Sequence, residues 1–466
     1  MAIVLVGVGW AGVSAIAELF CKLQIESVIG IDAHASSTTK HLKTLGMTII
    51  LWHGNYSVQE GDCIIYSAAT KDSIEVITWF AYSKQNTVTP PPMLYAEFLW
   101  ELSKYFYTLA ITGTHGKSTT TGLAACVAIE HIPETSLCIV GAGVTARWWN
   151  HCRYNETQSM FIKSCIETIT SRKAALVEIK SKQHLFIIEA DEFNRHFLML
   201  EPDISIVTSL DHDHVDIYPT REEYRQAFLQ FFDNTKSHIY MSKNSAEQCH
   251  YTDKKLHLVE TNNYNFTTLL GGHNNANASL AHAALEWFAA EQWYTIDTKK
   301  ISNSIEQRTG ISRRGELISI FPHNVHLFSD YGHHPKEIKS TLQAFTEKYP
   351  DYTIIVLFEA HQARRLIEFR EEFIEALSSA HKRYIVPCYT ARETRELVHS
   401  FPKSETYTKK ATNFKELIEL FATEADGEYS DFDAIADILT QQNNSIVVWF
   451  SAWILDSKLR LLKKTP

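Results

Sequence analysis

The chain has 466 residues, of which 45% are hydrophobic and 21% charged, and its net charge is −10. That length exceeds one ordinary hydrophobic core and implies about three domains, while the acidic balance excludes a general nucleic-acid binder, which needs a basic surface. The eight cysteines are dispersed without a C-x-x-C pair, which excludes a zinc ribbon or a dithiol redox motif and suits a reducing compartment.

Ala2–Val8 reads as a buried strand, Val13–Leu23 as a helix, and Ser27–Asp32 as a second strand ending in an acid. The apolar first segment lacks a basic stretch ahead of it and carries Gly7, Gly9 and Gly12 at turn spacing. Strand–turn–helix is therefore expected rather than a signal peptide. No other run is apolar for long enough to span a bilayer, so the cytoplasm is the expected location and no membrane span is expected. Gly7-x-Gly9-x-x-Gly12 followed by Asp32 has the form of a dinucleotide turn. Its glycines let the backbone approach a diphosphate at a helix N-terminus, and the acid takes a ribose hydroxyl. The same physics holds another diphosphate, such as a UDP-sugar. Asp62–Ser67 reads as a further strand, and Pro90-Pro91-Pro92 precedes a helix near Glu97–Tyr105.

The segment Leu109-Ala-Ile-Thr-Gly-Thr-His-Gly-Lys-Ser-Thr-Thr-Thr121 begins a second unit. An apolar strand enters a turn holding Gly113, Thr114, His115 and Gly116, and Lys117, Ser118 and Thr119 open a helix. Backbone N–H groups and the helix N-terminus face anionic oxygens there, the lysine adds charge, and the serine hydroxyl can reach Mg²⁺. The loop is two residues shorter than the common G-x-x-x-x-G-K-[ST] pattern. Phe186–Ile188 and Ile204–Leu210 read as strands ending in Glu189-Ala-Asp-Glu192 and Asp211-His-Asp-His214, where open α/β sheets bind ligands. Ser118, Glu189 and His214 are a candidate Mg²⁺ set, although histidine is an unusual ligand for that ion. Gly271–Asn277 leads into the helix Ala278–Ala290. Asn274 and Asn277 there suit the N6 and N7 edge of adenine or, equally, helix capping.

Gly310 and Arg313-Arg314 mark a boundary, and Arg314 or its neighbour suits the charge of a transferring phosphoryl group. The third unit alternates strands at His326–Ser329, Thr353–Phe358, Arg383–Pro387 and Ser445–Phe450 with helices such as Lys336–Lys348. Asp330-Tyr331-Gly-His333-His-Pro335 follows the first of these strands. His361 and Arg365, four apart, follow the second and could bind a carboxylate or lie exposed.

Taken in order, these motifs resemble the Mur ligase family, the ATP-driven amide-bond formers of peptidoglycan assembly, and specifically its L-alanine-adding members. The resemblance runs from Gly7 to about Lys458 and implies an α/β fold of three domains. These would be a UDP-binding Rossmann-like domain over 1–106, a P-loop ATPase domain over 107–310, and a C-terminal Rossmann-like domain over 311–466. It implies ligation of L-alanine to the lactyl carboxylate of UDP-N-acetylmuramate through an acyl phosphate, with ATP and Mg²⁺, by a monomer or homodimer that binds no nucleic acid. A related ligase that attaches a whole recycled tripeptide, and a nucleotide-binding relative without turnover, are the alternatives. Carried over by position, Lys117, Glu189, His214, Arg314 and His333 are the implied catalytic residues. Gly113–Thr119 and Arg314 would serve the phosphates, Asn274 and Asn277 adenine, and Asp330 the ATP ribose. Ser118, Glu189 and His214 would bind the metal. Gly9, Gly12, Asp32 and Ser67 would lie near UDP, and Tyr331, His333, His361 and Arg365 near the muramoyl and amino-acid end.

The sequence departs from the family at several points. Gln362 replaces an arginine of the Pro-His-Arg-Tyr-Thr-Arg run, Ser209 stands where many members have Asn, and Pro387 replaces an acid. Trp10 and Trp453 fill glycine positions, Trp148-Trp149 follows a loop-like stretch, and glycine is only 18 of 466 residues. Decoding of UGA as glycine in the source organism would produce that pattern; UGG at codons 10 and 453 would contradict it. Indole covering the uridine is the alternative.

Overall fold

Three successive strand–helix alternations each close into a sheet of their own. The computed structural model describes residues 2–51, 54–85, 91–132, 135–140, 152–171, 184–215, 217–264, 266, 269–291, 297–307, 312–389 and 414–451. Trp148, Trp149, Gly310 and Trp453 lie outside them.

The first sheet contains β1 (Ile3–Val6), β2 (Val28–Asp32), β3 (Thr48–Leu51), β4 (Cys63–Tyr66) and β5 (Met93–Leu94), in the order β3-β2-β1-β4-β5. All its pairings are parallel. The strand order reverses direction at β1, so the ligand crevice lies past the ends of β1 and β4, where Gly7 and Ser67 stand.

The second sheet contains β6 (Tyr107–Thr112), β7 (Thr135–Ile139), β8 (Cys152–Tyr154), β9 (Leu185–Glu189), β10 (Ile204–Val207), β11 (His238–Met241) and β12 (Leu256–Leu258). Its order is β12-β11-β10-β6-β9-β7-β8, and β8 alone runs antiparallel to its neighbour. Strand β6 is central, flanked by β10 and β9. The third sheet contains β13 (Glu316–Phe321), β14 (Val325–Asp330), β15 (Thr353–His361), β16 (Lys382–Tyr389), β17 (Glu428–Tyr429) and β18 (Ser445–Phe450), in the order β13-β14-β18-β15-β16-β17.

Central strands are continuous apolar runs because both their faces are covered. Every residue of β1, β10 and β18 is buried. The chain divides into two compact units, Met1–Thr267 with Asn275–Arg308, and Thr268–Asn274 with Thr309–Pro466. In the first unit one hydrophobic cluster runs through both sheets, with Phe20 edge-on to Phe98 and Phe106 packed on Phe161 and Phe186. The Lys22 ammonium donates to the Cys152 carbonyl at 2.9 Å, and the Tyr154 hydroxyl donates to the Lys22 carbonyl at 3.0 Å. In the second unit, separate clusters around Phe358 and Trp449 cover the third sheet. Among the described residues, no helix is long and apolar enough to cross a membrane.

Candidate active site

The loop after β6 is built from two glycines whose backbones only glycine adopts easily. Gly113 has φ +127° and Gly116 has φ +84°. A Cβ at Gly113 would meet the Ser209 backbone at 2.8 Å, and one at Gly116 would meet Asn277 Oδ1 at 2.5 Å. Gly116 caps the helix Lys117–His131, which therefore presents its N-terminal N–H groups at the end of β6.

The segment leaving β10 holds this loop from beneath. Thr208 Oγ1 donates to the Thr112 carbonyl at 3.1 Å and the His115 carbonyl at 2.5 Å. His115 N–H donates to Ser209 Oγ at 2.8 Å, and Thr114 Oγ1 donates to the Asp211 carbonyl at 2.6 Å. Serine at position 209 thus supplies a contact to the loop directly.

Lys117 crosses the loop. Its ammonium donates to the Gly113 carbonyl at 2.7 Å and pairs with the Glu192 carboxylate at 2.8 Å. Burial works against its charge, but Glu192, Asp191 and Glu189 outweigh that and hold its pKa above the ordinary lysine value. Glu192 is fully buried. Burial opposes its ionisation, yet Lys117 and His214 keep its pKa below the ordinary range. His214 Nε2 lies 3.6 Å from Glu192 Oε1, and the ligand atoms of Asp191, Glu192 and His214 fall within 4.8 Å of one another. Ser118 Oγ donates to Glu189 Oε1 at 2.9 Å.

Ser118 and Glu189 are therefore brought together as the sequence suggests, while His214 faces Glu192. Sequence reasoning missed Glu192 as the partner of Lys117; its only signal was its place in the acidic strand end. Thr119 is buried in the helix. Asn274 and Asn277 both lie on the helix Gly272–Glu291, which begins earlier than the sequence suggests. Asn274 Nδ2 donates to the Leu270 carbonyl at 2.7 Å, so this side chain ties the helix start to the preceding turn.

At the first sheet, Gly9 N–H donates to Asp32 Oδ2 at 2.7 Å, and a Cβ on Gly9 would meet that oxygen at 2.8 Å. Asp32 thereby fixes the turn, and its Oδ1 accepts the His34 N–H at 3.2 Å. A Cβ at Gly7 would touch Ser67 Cβ at 3.0 Å, and one at Gly12 would press on the Tyr95 ring. Trp10 has φ −86° and ψ 140° and is 37% exposed. Any L-residue adopts that conformation, so the structure accommodates the indole.

In the second unit, β14, β18 and β15 are neighbours, and their ends carry Asp330, Ser451 and His361. Asp330 accepts the N–H groups of Gly315 and Gly332, each at 2.7 Å. Burial raises its pKa to about 6, against the pull of Arg314. Both carboxylate oxygens thus hold local turns, a task that sequence reasoning did not foresee. The Tyr331 ring lies 4.9 Å from the Arg313 guanidinium and 4.8 Å from that of Arg314. Arg314 reaches Glu337 at 3.5 Å. His333 Nδ1 lies 3.6 Å from Glu337 Oε2, and its ring is 5.5 Å from that of His361. His361 ends β15 and its Nδ1 meets Arg365 Nη1 at 3.0 Å.

Tyr331, His333, His361 and Arg365 thus form one cluster. Gln362, between the last two, has φ +69°, a strained backbone of the kind found at functional sites. Glu359, also missed in the sequence, is buried and accepts a hydrogen bond from Ser451 Oγ, while the Ser451 carbonyl accepts from Arg313 Nη2.

Residues 111–257 match the Mur ligase middle domain. The UDP-N-acetylmuramate–L-alanine ligase of Flavobacterium johnsoniae is 30% identical over 417 residues, covering 83% of this chain and 84% of that protein. The enzyme of the same name from Chlorobium phaeobacteroides is 27% identical over 484 residues, covering 96% of this chain and 94% of its own. The crystal structure of the UDP-N-acetylmuramate–alanine ligase of Thermotoga maritima superimposes with a TM-score of 0.71 at 19% identity, over 100% of this chain and 98% of that one. The α/β architecture is that of the three-domain Mur ligase fold, and the chain belongs to the Mur ligase family.

Proposed function

We propose that this chain ligates L-alanine to the lactyl carboxylate of UDP-N-acetylmuramate at the expense of ATP, in the cytoplasm, as a step of peptidoglycan precursor synthesis. Full-length similarity to ligases of that name supports the reading. The observation that carries it is the short phosphate loop with Lys117 paired to the buried Glu192, beside Ser118 and Glu189. We assign 1–106 to the nucleotide sugar, 107–310 to ATP and 311–466 to the amino-acid end.

A carboxylate is a poor electrophile. In the proposed reaction its oxygen displaces ADP from the γ-phosphoryl group, giving an acyl phosphate with a good leaving group. The alanine amine then attacks the acyl carbon, and the tetrahedral adduct expels phosphate and leaves an amide. Lys117 neutralises charge that builds on the phosphoryl oxygens. The helix N-terminus after Gly116 supplies oriented N–H groups at no cost of reorganisation. Arg314 serves the phosphoryl group, while Tyr331, His333, His361 and Arg365 frame the amino-acid and muramoyl end. Gly9, Gly12, Asp32 and Ser67 receive the UDP moiety, and Asn274, Asn277 and Asp330 the adenosine.

The donor set of a hydroxyl, carboxylates and one imidazole suits a divalent cation bound with water, as Mg²⁺ is. Ser118, Glu189 and His214 would hold it, with Asp191 and Glu192 adjacent. Such an ion would lower the charge of the transferring phosphoryl group.

The test is phosphate release from ATP and Mg²⁺ with UDP-N-acetylmuramate, across L-alanine, glycine, L-serine and an L-Ala-γ-D-Glu-diamino-acid tripeptide. Release is expected with L-alanine. Release with the tripeptide alone would move the chain to the recycling ligases. No release with any of them would leave a nucleotide-binding relative without turnover.

A further inference from the structure

Tyr95 and His196 are remote in sequence and absorbed by none of the roles above. Tyr95 is the first residue of the helix Tyr95–Ser103, directly after β5, at the ligand edge of the first sheet. Its ring covers Gly12 so closely that a Cβ there would sit 2.5 Å from Tyr95 Cε2. His196 belongs to the short segment Phe193–Met199, which follows the strand-end acids Glu189 to Glu192 at the ligand edge of the second sheet. The Tyr95 hydroxyl and His196 Nδ1 are 3.1 Å apart, and the two rings meet edge to face at 5.3 Å. This hydrogen bond joins the glycine turn proposed for UDP to the segment that follows the carboxylates proposed for the ATP site, within one compact unit.

Two features show that the position of His196 is imposed. Asn194 and Arg195, just before it, both lie in the left-handed region, at φ +51° and +59°. Non-glycine residues rarely adopt that conformation, and two in succession persist only where surroundings enforce them. The Phe197 N–H then closes the turn on the Asp191 carbonyl at 3.0 Å. His196 is buried and Tyr95 half-buried, and burial raises the phenol's pKa and lowers the imidazole's. In the arrangement proposed below, the phenol donates to Nδ1 and thereby holds the ring as the Nε2–H tautomer. Among the described residues His196 makes no other hydrogen bond, so Nε2–H is left as a donor.

We propose that His196 is a substrate-binding residue, donating from Nε2 to an anionic oxygen of the nucleotide sugar, and that Tyr95 is the positioning residue that fixes its tautomer and orientation. The chemistry recognised is a phosphate or carboxylate oxygen at the sugar end of the molecule. This assignment rests on the nucleotide-sugar reading of the first sheet.

Isothermal titration of the full chain with UDP-N-acetylmuramate, without ATP, tests the pair; ATP titrated alone is the control. Tyr95→Phe keeps the ring over Gly12 and removes only the hydroxyl. It is expected to weaken nucleotide-sugar binding about tenfold, because an imidazole no longer held in place loses its hydrogen bond to the anionic oxygen, with ATP affinity changed by less than about twofold. His196→Ala is expected to lose at least as much. His196→Gln, whose amide N–H stands near the place of Nε2, is expected to recover part of it. The double variant should be no weaker than His196→Ala, because Tyr95 acts through His196. In turnover the loss should fall on KM for the nucleotide sugar and not on kcat.

Wild-type binding with Tyr95→Phe and His196→Ala indistinguishable from it would overturn the pair's role and leave the nucleotide-sugar reading standing. Equal losses of ATP and nucleotide-sugar affinity would show a merely structural contact and also overturn it. A wild-type chain that binds no UDP-N-acetylmuramate would overturn the functional reading and the pair's role together.

Discussion

Lys117 and Glu192 stabilise each other only as a pair. Glu192 is fully buried, so Lys117→Met strands an anion in the interior. We expect a loss of roughly 3–5 kcal/mol in urea unfolding and a fall of more than about 100-fold in ATP-dependent turnover. Adding Glu192→Gln should return most of the stability and none of the turnover, which separates the two roles of the lysine. Glu359 makes a second residue-scale prediction. Burial raises its pKa from 4.5 to about 7, against the hydrogen bond from Ser451 and the charge of Arg313. The folded state therefore binds more protons than the unfolded one between these values. The resulting stability is full below about 4.5 and is lost as pH rises through about 7. Asp330 acts in the same direction, but its share is already lost by about 6. Urea unfolding of the wild type should thus lose stability between about pH 6 and 7, part of a total near 3 kcal/mol. Glu359→Gln should be flat across that interval, and an unchanged slope would place the titration elsewhere.

The phosphate loop and the segment leaving β10 act as one element, since their hydrogen bonds interlock at Thr114, His115, Thr208 and Ser209. Thr208→Val keeps the shape and removes the donor to the Thr112 and His115 carbonyls. It is expected to raise KM for ATP about tenfold while the fold persists; steady-state kinetics reads this directly. The central strands were legible in the sequence because burial on both faces leaves unbroken apolar runs: β18 spans Ser445–Phe450 as expected, and β14 differs by one residue at either end. The edge strands β3, β5, β12 and β17 were not, being two to four residues long and partly exposed. The loop glycines were legible for the opposite reason, as residues whose conformation nothing else tolerates. The partners Lys117–Glu192, Glu359–Ser451 and Tyr95–His196 were not, because contacts made by tertiary folding leave no periodic mark on the chain.

At the scale of the whole molecule, the two compact units have separate hydrophobic cores. Scanning calorimetry is expected to resolve more than one transition, and a single two-state transition would show that the units fold as one. ATP at about 100 times its Kd should stabilise the transition of the unit carrying Lys117 by about 2.7 kcal/mol. The central claim is that this unit activates a carboxylate by phosphorylation. UDP-N-acetylmuramate labelled with oxygen-18 in the lactyl carboxylate tests it most directly, in a reaction with ATP, Mg²⁺ and L-alanine. Mass spectrometry of the released inorganic phosphate is predicted to find one oxygen-18 atom, carried over from the carboxylate through the acyl phosphate. Phosphate released without label alongside the amide product would contradict the account.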